Sequence, residues 1–195
     1  MKILHIVQPL ILGGVSNVVT GLVKAFDKIG VENIIITFKG SSHEILKTLK
    51  ENSAKIFYVN FMPTPFSSYF CALAASRKVR KIVLREKPDA IMIHPGWLSI
   101  ISCFLKTELP VIITVHGTYL NELKYMKYHP IAGLEKIRYM VGIHLSSDIE
   151  ISQLRTVTKL NNTLIAAVSR NTKRELVDAG VPSHRVFSIL NGVDK

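Results

Sequence analysis

Two adjacent glycines, Gly13 and Gly14, are the first residues of this sequence whose type and position could do chemistry. They follow a short apolar run and stand where a helical pattern begins. Glycine lets a backbone approach a ligand closely, and the first N–H groups of a helix attract anions, so such a turn can bind a phosphate. A tight connection between a strand and a helix explains the two glycines equally well.

Two familiar phosphate-binding motifs are absent from the sequence. The glycines are adjacent instead of having the GxGxxG spacing, and the pattern GxxxxGK[ST] occurs nowhere. The ordinary nicotinamide-dinucleotide site and the P-loop are therefore excluded.

Two histidines follow apolar runs farther along the chain, His94 after residues 90–93 and His116 after residues 111–115. A titratable side chain at the end of a buried strand is a candidate for a site, and a hydrogen bond to a local carbonyl is the alternative. His5 lies inside an apolar run and is expected to be a hydrogen-bonded core histidine. The two cysteines, Cys71 and Cys103, are isolated in the sequence and are expected to be buried free thiols. Since the two histidines also have no nearby carboxylate ligand, the sequence does not predict a metal site.

The elements that would position these residues alternate between strands and helices. Buried strands are predicted over residues 3–7, 33–38, 54–59, 90–93, 111–115, 163–168 and 186–190. Helices are predicted over residues 15–29, 43–51, 67–87 and 169–179, in a segment ending at Lys106, and as two or three helices within 118–161. This alternation predicts an α/β, Rossmann-like, doubly wound parallel sheet. If the strand order is 3-2-1-4-5, the glycine pair, His94 and His116 meet at one rim, where such sheets bind ligands.

The charge of the chain indicates an anionic partner. The formal net charge is +11 over 195 residues, with six basic residues between Arg77 and Lys87. The basic run suits either a solvated helix face or attraction to a membrane surface or another polyanion. The mixture of tyrosines and basic residues over 119–139 suits a lipid interface, an acceptor-binding surface or a partly buried amphipathic helix. No nucleic-acid motif is present, no apolar run reaches the ~20 residues that a membrane span needs, and no signal-peptide cleavage site follows the first strand. We therefore expect a cytoplasmic protein, peripheral on the inner membrane face.

Taken together, these segments resemble the N-terminal half of GT-B glycosyltransferases of family 4. The opening KILHIVQPLILGGVSNVV is similar to the family's first strand, GG loop and first helix. The segment from Pro88 to His94 resembles its PD-x-x-x-x-H strand, and Ile113 to Gly117 its T-x-H strand. LVDAGVPSHRVFSILNGVD resembles its closing helix, strand and N-G-V-D signature. The resemblance covers nearly the whole chain.

The resemblance implies a retaining transferase of hexosyltransferase type. The donor would be a nucleotide sugar, such as a UDP- or GDP-sugar. The acceptor would be a saccharide or a lipid-linked molecule in the synthesis of cell-surface polysaccharide or glycolipid. It implies that Gly13 and Gly14 contact the donor diphosphate and that His116 is catalytic. On the same rim, the residues expected to contact the acceptor are Asn17, His94, Gly117 and Tyr119. No cofactor and no metal are expected.

The family also has a C-terminal donor-binding domain with an E-x7-E motif, which these residues lack. We therefore expect residues 1–190 to form the acceptor-side domain, residues 191–195 to begin a linker to the missing domain, and the fragment alone to be inactive. Two alternatives are a non-catalytic module that docks an acceptor or a membrane, and a GT-B sugar-nucleotide epimerase.

Overall fold

A computed structural model describes residues 1–60, 68–94, 98–125 and 133–190. These residues form one parallel sheet with helices on both sides, which confirms the predicted fold class. The strands are β1 (Lys2–Val7), β2 (Glu32–Phe38), β3 (Lys55–Val59), β4 (Ala90–His94), β5 (Val111–Val115), β6 (Thr163–Ala167) and β7 (Val186–Ser188). Their order is β3-β2-β1-β4-β5-β6-β7, so the predicted reversal between β1 and β4 is confirmed.

The helices follow the strands in the alternation that the sequence predicts. They are α1 (Gly14–Lys28), α2 (His43–Glu51), α3 (Ser68–Glu86), α4 (Ile100–Leu105), α5 (Tyr119–Tyr125), α6 (Gly133–Val157) and α7 (Arg170–Asp178), with a 3-10 turn at Ser183–Arg185. The helix at 43–51 has the predicted bounds. As predicted, α7 begins after an N-cap serine, since the Ser169 hydroxyl accepts a hydrogen bond from the Thr172 N–H at 3.0 Å.

Two cores lie on the two faces of the sheet because successive strand residues point in opposite directions. The smaller core joins Val7 and Ile35 to buried residues of α1 and α2. The larger core joins Ile6, Ile93 and Ile113 to buried residues of α3, α4, α6 and α7. Each helix connects two parallel strands by a right-handed crossover. Crossovers toward β2 and β3 therefore place their helices on one face of the sheet, and crossovers toward β4 to β7 place theirs on the opposite face.

Some sequence expectations change in detail. Strand β7 ends at Ser188 instead of residue 190. The expectation of two buried thiols is wrong for Cys103, which lies on α4 at the border of the larger core and is only half-buried. The side chain of Cys71 and residues 191–195, with the N-G-V-D signature and the expected start of a linker, lie outside the described residues.

Candidate functional site

The carboxyl ends of β1, β4 and β5 lie side by side at one edge of the sheet. The strands pair in parallel from Ile3 with Ala90 to Val7 with His94. Beyond the end of β1, the Gln8 N–H donates to the His94 carbonyl at 3.2 Å. The glycine pair after β1, His94 at the end of β4 and His116 after β5 therefore come to the same edge, as the strand order predicts.

The glycine pair forms the start of α1, with Gly13 as N-cap and Gly14 as first helical residue. No side chain in the described part of the chain caps this helix, and its first turn contains no acidic residue. The Ser16 hydroxyl donates to the Ile11 carbonyl and so does not cap the helix either. Its first N–H groups are thus available to an anion, which the helix dipole also favours.

The turn itself does not require glycine at either position. Gly13 has extended backbone angles, φ 160° and ψ 177°. A Cβ atom at Gly13 or Gly14 would meet no atom of a described residue within 4 Å. Packing among the described residues therefore does not explain the two glycines, whereas close approach by a ligand would.

The two rim histidines touch each other. His94 Nδ1 lies 3.2 Å from His116 Nε2, and the ring centroids are 5.5 Å apart. His94 is completely buried and His116 is half-buried. Burial lowers the pKa of His116 to about 4, and burial, with smaller contributions from His5 and His116, lowers the pKa of His94. Both rings are therefore neutral near pH 7, so His116 offers a neutral hydrogen-bonding group at the rim. The assignment of His94 to the acceptor stays a prediction, although its observed contact is with His116.

The segment after His116 is held by two buried carboxylates that the sequence analysis did not single out. The Thr118 hydroxyl donates to Glu175 Oε2 at 2.8 Å, and Lys124 Nζ lies 3.0 Å from Glu175 Oε1. The Tyr119 N–H donates to Glu150 Oε2 at 3.3 Å, and burial raises the pKa of Glu150 to about 7. These carboxylates on α7 and α6 fix the chain direction just beyond the rim. Both glutamates are far in the sequence from residues 118–124, so no local sequence pattern could have predicted these contacts.

The remaining predicted acceptor residues lie in two places. Gly117 is exposed and Tyr119 is half-buried, both directly after His116. Asn17 is exposed on α1 and lines a groove of about 720 Å³ between α1 and the strand residues Met92 and Thr114. Neither rim histidine lines this groove. The roles of Asn17, Gly117 and Tyr119 stay predictions.

Two helices carry exposed surfaces that the site does not use. The basic face of α3 consists of exposed side chains that form no ion pair with a described residue: Arg77, Lys78, Arg80 and Lys81. The apolar stripe of α6 recurs at helical spacing on the solvent side: Leu134, Ile137, Val141 and Leu145. Within the described ranges, no helix is long and apolar enough to cross a membrane. The same residues contain no group of three or more His, Cys, Asp or Glu side chains that could hold a metal ion.

Solved structures with the same fold include HepE, a galactosyltransferase and an epimerase. HepE of Anabaena, solved with UDP and glucose, has a TM-score of 0.68 at 14% identity; the match covers 100% of this chain and 45% of HepE. The lipopolysaccharide outer core galactosyltransferase WaaB has a TM-score of 0.60 at 12% identity, with 99% and 46% covered. The UDP-GlcNAc 2-epimerase of Neisseria meningitidis has a TM-score of 0.53 at 16% identity, with 98% and 47% covered. This chain thus spans less than half the length of these structures, and the likeness shows the GT-B fold.

Comparison by sequence is more specific than comparison by fold. No curated protein matches the chain significantly. The model of Glycosyltransferase Family 4 matches residues 12–195, which include the glycine pair and both rim histidines. Because that match spans nearly the whole sequence, the chain belongs to glycosyltransferase family 4.

Proposed function

We propose that this chain is the acceptor-side domain of a retaining hexosyltransferase that uses a nucleotide sugar, such as a UDP- or GDP-sugar, as donor. The observation that carries the proposal is the meeting of an uncapped helix start and a neutral histidine at one sheet edge. The reaction breaks the bond between the sugar and a diphosphate, so negative charge builds on the leaving group. Preorganised N–H groups at Gly14 and the next residues would stabilise that charge.

The histidine would act beside the transferred sugar. His116 is neutral and half-buried, and its side chain can hydrogen-bond a sugar hydroxyl or an oxygen of the leaving group. No protein nucleophile, metal or cofactor is required in this scheme. A second domain, which would hold most of the donor, is part of the proposal, and the partial coverage of the GT-B structures supports it.

The acceptor is proposed to be a saccharide or a lipid-linked saccharide in the synthesis of cell-surface polysaccharide or glycolipid, on the cytoplasmic side of the membrane. WaaB, by its name, transfers galactose to the outer core of lipopolysaccharide, and this supports the proposal only by analogy of fold. An epimerase shares the same fold. The match to family 4 favours transfer over epimerisation.

A transfer assay with two proteins tests the proposal. Residues 1–195 and the complete product of the gene would each be incubated with UDP- and GDP-sugars and with glycolipid and saccharide acceptors, and products analysed by mass spectrometry and NMR. We expect the longer protein to form a glycoside with the anomeric configuration of the donor, and residues 1–195 to form none. Robust transfer by residues 1–195 would contradict the need for a second domain. An epimerised nucleotide sugar as product, or no product from either protein, would contradict the proposed reaction.

Association with an anionic membrane is proposed from the two exposed surfaces. The basic face of α3 supplies cations that no described acidic side chain neutralises, and the apolar stripe of α6 supplies side chains that water solvates poorly. Leu134 and Ile137 have exposed fractions of 76% and 58%. Basic charge and exposed apolar helix surface together are what a peripheral protein needs to bind anionic lipid reversibly.

Vesicle co-sedimentation tests this association. Replacing the four cations of the basic face by glutamine is expected to weaken binding to anionic vesicles by up to about a thousandfold, since each of the four contributes about 1 kcal/mol near the surface. A control with the same charge change on the other side of the sheet replaces four exposed lysines of α1 and α2: Lys24, Lys28, Lys47 and Lys50. Equal loss in both variants would show a nonspecific effect of net charge, and no binding by the unmodified protein at low salt would contradict the association.

A further inference from the structure

Three histidine rings form a continuous row from the core to the rim. His5 of β1 stacks on His94 at 5.9 Å between centroids, and His94 contacts His116 at 5.5 Å. His5 and His94 are completely buried, whereas His116 is half-buried. Because each neutral imidazole carries one proton on one of two nitrogens, the hydrogen bonds along the row decide which nitrogen carries it.

The inner end of the row has a fixed arrangement. The Asn33 side-chain amide donates from Nδ2 to the carbonyls of Val31 at 3.0 Å and Val23 at 3.4 Å. Its oxygen Oδ1 therefore faces His5 Nε2, at 3.3 Å, and must accept. His5 carries its proton on Nε2, and its buried Nδ1 is a bare acceptor without a partner among the described residues.

The outer end has two possible arrangements. Between His94 Nδ1 and His116 Nε2, at 3.2 Å, one nitrogen must donate and the other accept. His94 Nε2 is buried and has no partner among the described residues. If His116 donated, His94 would carry its own proton on Nε2, as a buried N–H without an acceptor. Buried N–H groups are left unpaired more rarely than buried acceptors, so the arrangement in which His94 Nδ1–H donates is favoured.

We propose that His94 is a positioning residue that holds His116 as its Nδ1–H tautomer, so that His116 presents an N–H donor to the rim. In this arrangement His116 Nε2 is occupied as an acceptor from His94. His116 Nδ1 forms no hydrogen bond with a described residue and remains for a ligand. His116 would then donate to an oxygen of the sugar or of the leaving diphosphate and would not accept the proton of the attacking hydroxyl. The choice of ligand rests on the proposed function, whereas the tautomer does not.

Nitrogen NMR of the histidine rings tests the proposal on residues 1–195 without any substrate. In protein labelled with ¹⁵N at histidine, two-bond ¹H–¹⁵N spectra distinguish protonated from bare ring nitrogens. We expect His116 to be protonated on Nδ1 with an excess of about tenfold, because the other arrangement leaves a buried N–H of His94 unpaired. We expect His5 to be protonated on Nε2. A wild-type spectrum with the His116 proton on Nε2 would overturn the proposal.

Two variants of His94 separate positioning from packing. His94→Phe keeps a ring of similar shape but removes the donor, and we expect His116 to lose its preference for Nδ1–H. His94→Asn keeps an amide donor and is expected to restore part of that preference. A His116 tautomer unchanged in folded His94→Phe would contradict the proposal; if that variant does not fold, the wild-type spectrum decides alone.

A transfer assay distinguishes this proposal from the proposed function. If the spectra show the Nδ1–H tautomer but His116→Ala leaves transfer unchanged, the role of His94 stands and the use of His116 in the reaction is wrong. If transfer depends on His116 but the proton lies on Nε2, the function stands and the role of His94 is wrong. The two failures therefore have different signatures.

Discussion

Replacing Gly14 with valine is expected to abolish sugar transfer while leaving the fold intact. A Cβ at Gly14 meets no atom of a described residue within 4 Å, so the larger side chain has room beside the described part of the protein. It would occupy the space above the uncapped N–H groups of α1, where the donor diphosphate is proposed to lie. Losing one preorganised donor to a developing anion costs about 10²- to 10³-fold in rate, and blocking the turn removes more than one. The measurement is kcat and KM in the complete gene product, together with its melting temperature.

The control for this prediction is Gly142→Val. Gly142 lies in α6 and is exposed, and a Cβ there would also have no atom of a described residue within 4 Å. Both substitutions replace a helical glycine by a residue of better helix propensity, so both should leave the melting temperature unchanged or slightly raised. A Gly14→Val enzyme with normal transfer would show that the glycine pair does not contact the donor. A large loss of stability in Gly14→Val alone would show that the turn requires glycine after all.

The fold could be predicted in most of its elements because parallel strands buried on both faces form short, continuous apolar runs. Residues 3–7 and 33–38 show this pattern, and both correspond to strands within one residue at each end. Strand β7 was predicted to continue to residue 190 because Ile189 and Leu190 are apolar. Both side chains are exposed in the structure, and nothing in the sequence distinguishes them from buried apolar residues.

The site could be predicted only as far as the topology determines it. Strand order places the glycine pair, His94 and His116 at one edge, and that much follows from the alternation of elements. Whether His94 points to solvent or into the sheet depends on side-chain direction at the last residue of β4, which the pattern leaves open. The hydrogen bonds of Glu150 with Tyr119 and of Glu175 with Thr118 join residues 31 and 57 positions apart in the sequence. Contacts between residues so far apart cannot be predicted from the local spacing of residue types. The predicted core role of His5 is confirmed, since its ring is fully buried and hydrogen-bonded to Asn33.

That core histidine makes the protein sensitive to acid. Burial lowers the pKa of His5 from 6.5 to about 4, with the hydrogen bond to Asn33 opposing the change. Between these pH values the unfolded chain binds a proton at this residue more readily than the folded one. The free energy of unfolding therefore falls as the pH drops through the window from 6.5 to 4, by roughly 3 kcal/mol from this group alone. Above pH 6.5 the contribution is fully retained.

The variant His5→Gln should remove this part of the acid sensitivity. Glutamine does not titrate, and its amide can still donate to Asn33 Oδ1. Urea unfolding of the wild type and the variant at several pH values between 4 and 7 gives the two free-energy curves. We expect the wild type to lose about 3 kcal/mol more than the variant over this range. Parallel curves for wild type and His5→Gln would contradict the prediction.

The remaining acid sensitivity of the His5→Gln variant is itself informative about the rim. The pKa values of His94 and His116 are also lowered, chiefly by burial, so both rings resist protonation in the folded state and both make the variant less stable in acid. Adding His94→Asn to His5→Gln should flatten the curve further. Burial of the three histidines therefore lowers the stability of the protein in acid. The same burial keeps His116 neutral near pH 7. Only a neutral ring carries a single proton on one of its two nitrogens, as the proposed donor to the ligand requires.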